Sequence, residues 1–137
     1  MELAEFTFSD YAEVIALWQS SEGVGLSSAD SPERIAAYLA RNPGLSFVIR
    51  VDGELVGAVL CGHDGRRGYL HHLAVRPDQR GRGIGRALVD ACMQALAREG
   101  IDKCHLFVFK ENVDGLAFWR KVGWKERLDL AILSKNI

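Results

Sequence analysis

The sequence predicts an α/β fold of the α+β type, a mixed and mostly antiparallel central sheet flanked by helices. Three observations predict it. Residues 46 to 75 read as strand-like runs divided by turn signals, which is the pattern of an antiparallel meander. Residues 69 to 109 read strand–helix–strand, which implies one parallel, right-handed crossover. Two amphipathic helical segments precede the meander. The order is α-α-β-β-β-α-β-α-β, with room for a short strand before the first helix.

Near the N-terminus, Ser9 or Asp10 can cap a helix that carries Tyr11, Val14, Ile15 and Trp18 at helical spacing and fades at Glu22-Gly23. A polar loop follows over 23 to 31. Ser31-Pro32 supplies an N-cap with proline at the first helical position, and Ile35, Tyr38 and Leu39 then share one face. Asn42-Pro43-Gly44 stops this second helix. Ser46 to Val51 is rich in Phe, Val and Ile, Asp52-Gly53 is a hairpin turn, and Leu55 to Cys61 is the return strand. A polar loop leads to a third strand, Tyr69 to Val75. After the loop from Pro77 to Arg82, residues Ile84, Ala87, Leu88, Ala91, Cys92, Ala95 and Leu96 form a helical stripe, with Gly100 as its C′ residue. A strand from Cys104 to Phe109, a helix from Val113 to Lys121 ending at Gly123, and a last strand from Trp124 to Leu133 complete the pattern.

The chain's 137 residues, 48% apolar and 26% charged, suit one domain over 1–137 and exclude a disordered or collagen-like class. Basic and acidic residues nearly balance at 17 and 18, so no bulk field favours nucleic acid or an anionic membrane surface. Cys61, Cys92 and Cys104 are odd in number and widely spaced, which argues against a disulfide framework and against a metal site. They read as reduced thiols, with Cys61 and Cys104 buried. The opening residues lack a signal-peptide pattern, and no apolar run approaches a membrane span, so a cytoplasmic protein is expected.

The most informative segment is Arg76-Pro-Asp-Gln-Arg-Gly-Arg-Gly-Ile-Gly-Arg86, between a strand end and a helix start. Its four arginines and three glycines exceed what an apolar helix needs to begin, since one Ser or Asp would cap it. Glycines let the backbone approach a ligand closely, and free N–H groups at a helix N-terminus attract anions. Arg80, Arg82 and Arg86 add formal charge where a phosphate would lie. The glycines at 81, 83 and 85 match neither the Rossmann spacing nor the Walker pattern.

What they match is R-x-x-G-x-G, read as Arg80, Gly83 and Gly85, preceded by the strand Leu70-His-His-Leu-Ala-Val75 and Pro77. This resembles the acetyl-CoA-binding motif of the GNAT superfamily of N-acetyltransferases, and within it the small bacterial YpeA-like members. Asn112, the pair Phe118-Trp119 and Gly123-Trp124 resemble that family's second motif, and the element order fits from residue 3 onward. The resemblance implies that N–H groups of Arg80, Gly81, Arg82, Gly83, Ile84, Gly85 and Arg86 hold a pyrophosphate. It implies that the backbone of Leu73, Ala74 and Val75 pairs with the pantetheine arm as an added strand. The Val75 N–H would polarise the thioester carbonyl, and Asn112, Phe118 and Trp119 would contact the cofactor. The loop between the first two helices, with Glu22 and Asp30, is where the family builds its acceptor pocket. A homodimer is expected by family analogy only.

Acetyl transfer to an amine needs a neutral nitrogen. An alkyl amine of pKa about 10.4 is only about 0.1% free at pH 7.4, a deficit of roughly 4 kcal/mol. A histidine is suited to removing the proton. His71 and His72 are adjacent on a strand and are therefore expected to face opposite sides, with Tyr69 on the face of His71. Arylalkylamine N-acetyltransferases, within the same family, carry His at the positions matching Tyr69 and His71, which favours His71 as the base. One departure matters. Many members have Tyr where Trp119 stands, and the resemblance assigns to that Tyr the protonation of the leaving thiolate; an indole N–H cannot do this. Tyr69 or water is left for that role. An N-acetyltransferase for a primary amine is the leading expectation. An acyl-CoA-binding regulator with little turnover is the alternative, and a nucleotide-binding module a distant third.

Overall fold

A computed structural model describes residues 1–137. The elements are β1 (Glu2–Glu5), α1 (Tyr11–Gln19), α2 (Pro32–Arg41), β2 (Phe47–Val51), β3 (Glu54–His63), β4 (Gly68–Val75), α3 (Ile84–Arg98), β5 (Cys104–Leu106) and α4 (Val113–Lys121). The chain divides into two compact units, residues 1–107 and 108–137.

The first unit holds one five-stranded sheet in the order β1-β2-β3-β4-β5. The first four strands pair antiparallel, and β4 pairs parallel with β5 across the α3 crossover. Asp52 and Gly53 take φ of 51° and 80°, so the β2–β3 hairpin closes with both central residues left-handed, as its two-residue turn requires. Ser31 caps α2 by accepting the Arg34 N–H, with Pro32 at the first helical position. The helix α1 begins differently from expectation. Neither Ser9 nor Asp10 caps it through a side chain; a short 3₁₀ turn over Phe8–Asp10 precedes it, and the Asp10 carboxylate accepts the Thr7 N–H at 3.0 Å. It also ends earlier, at Gln19, rather than fading at Glu22.

β3 is buried along eight of its ten residues, because helices cover both faces of the sheet there. On one face Phe6, Val14, Leu17, Trp18 and Ile35 pack on Val48, Ala58 and Leu60. On the other, Gly57 leaves room for α3, since a Cβ there would meet Ile84 and Leu88, each at 3.0 Å. Cys61 and Cys92 are buried as expected of free thiols, while Cys104 is only half-buried. No helix is long and apolar enough to cross a membrane.

The second unit holds α4, capped by Asn112, whose Oδ1 accepts the Gly115 N–H at 3.0 Å. Trp119 packs edge-on against both Phe118 and Trp124, with centroids 5.1 Å away in each case. The strand expected over 124–133 does not form. Leu128, Leu130 and Ile132 alternate as a strand would, but all are exposed, and no second strand in this unit offers a ladder. The neighbouring polar groups satisfy one another instead: Arg127 donates twice to Asp129, both at 3.0 Å. In the first unit β5 likewise stops at Leu106, short of Phe109.

Candidate active site

Two features of β4 organise the site. The first is an irregularity in its pairing with β3. Ala58 faces Ala74 and Leu60 faces His71, so Val59 alone stands opposite His72 and Leu73. This is a β-bulge, and His72 carries it at φ of 57°. Left-handed backbone is uncommon for a residue with a Cβ and costs about 1–2 kcal/mol. The bulge cancels the alternation of neighbouring side chains. His71 and His72 therefore line the same cavity, where strand periodicity put them on opposite faces. That expectation assumed a regular ladder, and nothing in His-His signals a bulge.

The second feature is an open edge. β5 pairs only with Gly68, Tyr69 and Leu70, so β4 from His71 to Val75 has no partner on that side. The Arg76 N–H donates to Val56 at 2.8 Å. By alternation along the antiparallel ladder, the Val75 N–H points away from β3, to the uncovered edge.

The cavity beside the histidines has a volume of about 350 Å³ and lies between the loop before α2, α2 itself and β4. Asp30, Arg34, Ile35, Tyr38 and Leu60 line it with the two histidines. Tyr38 and His71 also border a second cavity of about 220 Å³, with Tyr69 and Arg41 on its wall. Tyr69 and His71 thus share a side, as expected. Glu22 lines neither cavity.

The histidines differ in their bonding. His63 is satisfied at both nitrogens, by Glu99 at 2.8 Å and by the Gly65 N–H at 3.0 Å, and reads as structural. His71 makes no hydrogen bond to protein; burial, with His72 close by, holds its imidazole below the ordinary histidine value. It is therefore a neutral acceptor near pH 7. His72 Nε2 lies 2.9 Å from Asp30 Oδ1, and Trp18 packs edge-on against its ring at 4.9 Å. Asp30 is only 6% exposed, and its other oxygen accepts the Ser27 N–H at 3.0 Å. Sequence reasoning marked Asp30 as a pocket residue but missed its pairing with His72, 42 positions away.

The glycine turn follows β4. Gly81 and Gly83 sit at φ of 77° and 81°, and a Cβ added at either would meet open space. α3 starts at Ile84, and its first intrahelical bond is donated by Ala87. The N–H groups of Arg82, Gly83, Ile84, Gly85 and Arg86 consequently have no protein acceptor. Arg80 departs from this pattern: its N–H reaches the Pro77 carbonyl at 3.4 Å and its side chain the Val75 carbonyl at 3.2 Å. Free donors, left-handed glycines and open space fit the diphosphate of a coenzyme A. The thiols offer no alternative nucleophile. Burial pushes Cys104 up to about 12, and a hydrogen bond with Cys61, together with burial, pushes Cys92 up as well.

Comparison with known proteins agrees with this geometry. A model of the acetyltransferase (GNAT) family matches residues 11–124. An acetyltransferase of Pectobacterium atrosepticum is 36% identical over 138 residues, covering 100% of this chain and 96% of the relative. An aminoglycoside 6'-N-acetyltransferase from Acinetobacter haemolyticus has a similar fold, with TM-score 0.81 at 17% identity, covering 100% of this chain and 99% of that one. The PaiA N-acetyltransferase of Thermoplasma acidophilum, solved with coenzyme A, gives TM-score 0.78 at 20% identity over 90% of this chain and 89% of the other. The chain belongs to the GNAT acetyltransferase family. It is an acetyl-CoA-dependent N-acetyltransferase.

Proposed function

We propose that the chain acetylates a primary amine, on a small molecule or exposed on a protein, by direct attack in a ternary complex. The observation that carries this reading is the double position of His71. It belongs to the stretch of β4 that lacks a β5 partner, and its side chain lines the cavity. A donor paired along Leu73, Ala74 and Val75 would present its acyl end beside an amine in that cavity. Acetyl-CoA, when bound, supplies an activated acetyl group.

The chain's own residues then divide the work. The N–H groups of Gly81 through Arg86, with Arg80 through its neighbouring charge, hold the diphosphate. The Val75 N–H polarises the carbonyl. His71 accepts a proton from the amine nitrogen in the course of transfer, and Tyr69 or water delivers one to the departing thiolate. On the resemblance alone, Asn112, Phe118 and Trp119 are assigned as cofactor contacts, 1–137 as one domain, the cytoplasm as location and a homodimer as assembly.

Acetyl-CoA consumption, followed by thiol release over amines, polyamines, amino acids and peptide N-termini, tests the reading. Amine-dependent release supports it. Tight coenzyme A binding with silence across the panel favours the binding-only regulator, which the absence of a tyrosine at Trp119 keeps in play.

A further inference from the structure

We propose that His72 is a second catalytic base of the acceptor cavity and that Asp30 is its positioning residue. The inference rests on the amine-acetylation reading and extends it to residues outside the family motif.

An ionised carboxylate only accepts hydrogen bonds, so the 2.9 Å contact fixes the His72 proton on Nε2. The Nδ1 lone pair is then the free nitrogen, and no protein group takes it. Both Asp30 oxygens are engaged, by His72 and by the Ser27 N–H. The carboxylate is thus held still and buried, where it can offset the positive charge of an imidazolium. The Trp18 ring packs edge-on against the same imidazole. The left-handed backbone at His72 has no turn to serve; its effect is to bring this imidazole into the cavity.

The chemistry needs two proton acceptors. An alkylammonium becomes an amide N–H, so the nitrogen gives up two protons in all. The first must leave before attack, to expose the lone pair that forms the carbon–nitrogen bond. The carbon–sulfur electron pair leaves with sulfur as thiolate. The second proton leaves the nitrogen once it is bonded to the acyl carbon, where it is far more acidic. His72, backed by a carboxylate, suits the first and harder removal. His71, which burial keeps neutral, suffices for the second. The charges balance: one ammonium and one thioester give an amide, a thiolate and two protons, one on each histidine before release to water.

Other groups near His72 are His71 on β4, Asp30 in the loop before α2, and Arg34 and Tyr38 on α2; the α1 neighbour Trp18 does not titrate. His72→Asn is the cleanest variant, because asparagine tolerates left-handed backbone. Asp30→Asn keeps an oxygen for the Ser27 N–H. Circular dichroism and an unchanged acetyl-CoA dissociation constant establish that each variant folds and binds donor.

With the best amine of the panel, both variants should lose about 100-fold or more in kcat, with the acetyl-CoA KM retained. Two-bond proton–nitrogen spectra at about pH 8.5, above the ordinary imidazole range, should show the His72 proton on Nε2, with that preference lost in Asp30→Asn. A His72→Asn rate within about twofold of wild type, or a wild-type proton on Nδ1, overturns the inference alone. Wild-type protein silent with every amine overturns the proposed function, and the inference with it.

Discussion

Gly83 stands at φ of 81°, one residue before α3, among N–H groups with no protein acceptor. A β-branched residue there pays a strain of about 1–2 kcal/mol and fills the approach to those donors. Gly83→Val should weaken coenzyme A at least about tenfold, equivalent to about 1.4 kcal/mol, read by calorimetry. Unchanged affinity would remove the glycine turn from the donor site. His71 makes a pH-dependent prediction. Its folded value is depressed, so below about 6.5 the unfolded chain binds more protons than the folded one. Stability then rises with pH through that window and is lost as pH falls. The melting-temperature advantage of wild type over His71→Phe should shrink between about pH 7.5 and about pH 5. An advantage that stays constant would contradict the assignment. The sequence pointed to His71 as a site residue through its position on the strand. The place of His72 beside it was not legible, because it depends on a positive φ that histidine does not announce and on a contact with Asp30, remote in the chain.

Gly62 on β3 illustrates how the elements fix the cavity. A Cβ there would lie 2.7 Å from the Asn42 amide nitrogen and 2.7 Å from the Tyr38 ring carbon Cζ. The strand therefore approaches the end of α2 closely, and Asn42, buried, ties the two by accepting the His63 N–H at 3.1 Å. Gly62→Ala should destabilise the fold by about 1–3 kcal/mol in denaturant titration through overpacking. Asn42→Ala should cost a similar amount, about 1–3 kcal/mol, because the His63 N–H is left without its partner. An unaltered midpoint in both would show that α2 is not anchored at this end. Most elements were legible because local chemistry fixes them: Asp52-Gly53 for the hairpin, Ser31-Pro32 for the start of α2, the Ile84-to-Leu96 stripe for α3. The tail was misread for the opposite reason. Alternation at Leu128, Leu130 and Ile132 describes a side-chain pattern, and a strand also needs a partner for its backbone.

At the scale of the whole molecule, the proposed function draws both halves of the reaction from one sheet. β4 offers an unpaired edge and a following turn of free donors, where the proposed function places the thioester substrate. The bulge in the same strand turns two imidazoles toward the cavity beneath α2. The near balance of 17 basic and 18 acidic residues gives no general attraction for polyanions, so recognition rests on this local geometry. Coenzyme A should accordingly compete for the turn far better than ATP or NAD. The most direct measurement is thiol release from acetyl-CoA over the amine panel, with the product amide identified by mass. The account predicts release that depends on a particular amine class, one amide per thiol, and that collapses in His72→Asn. Tight coenzyme A binding without release for any amine would contradict it.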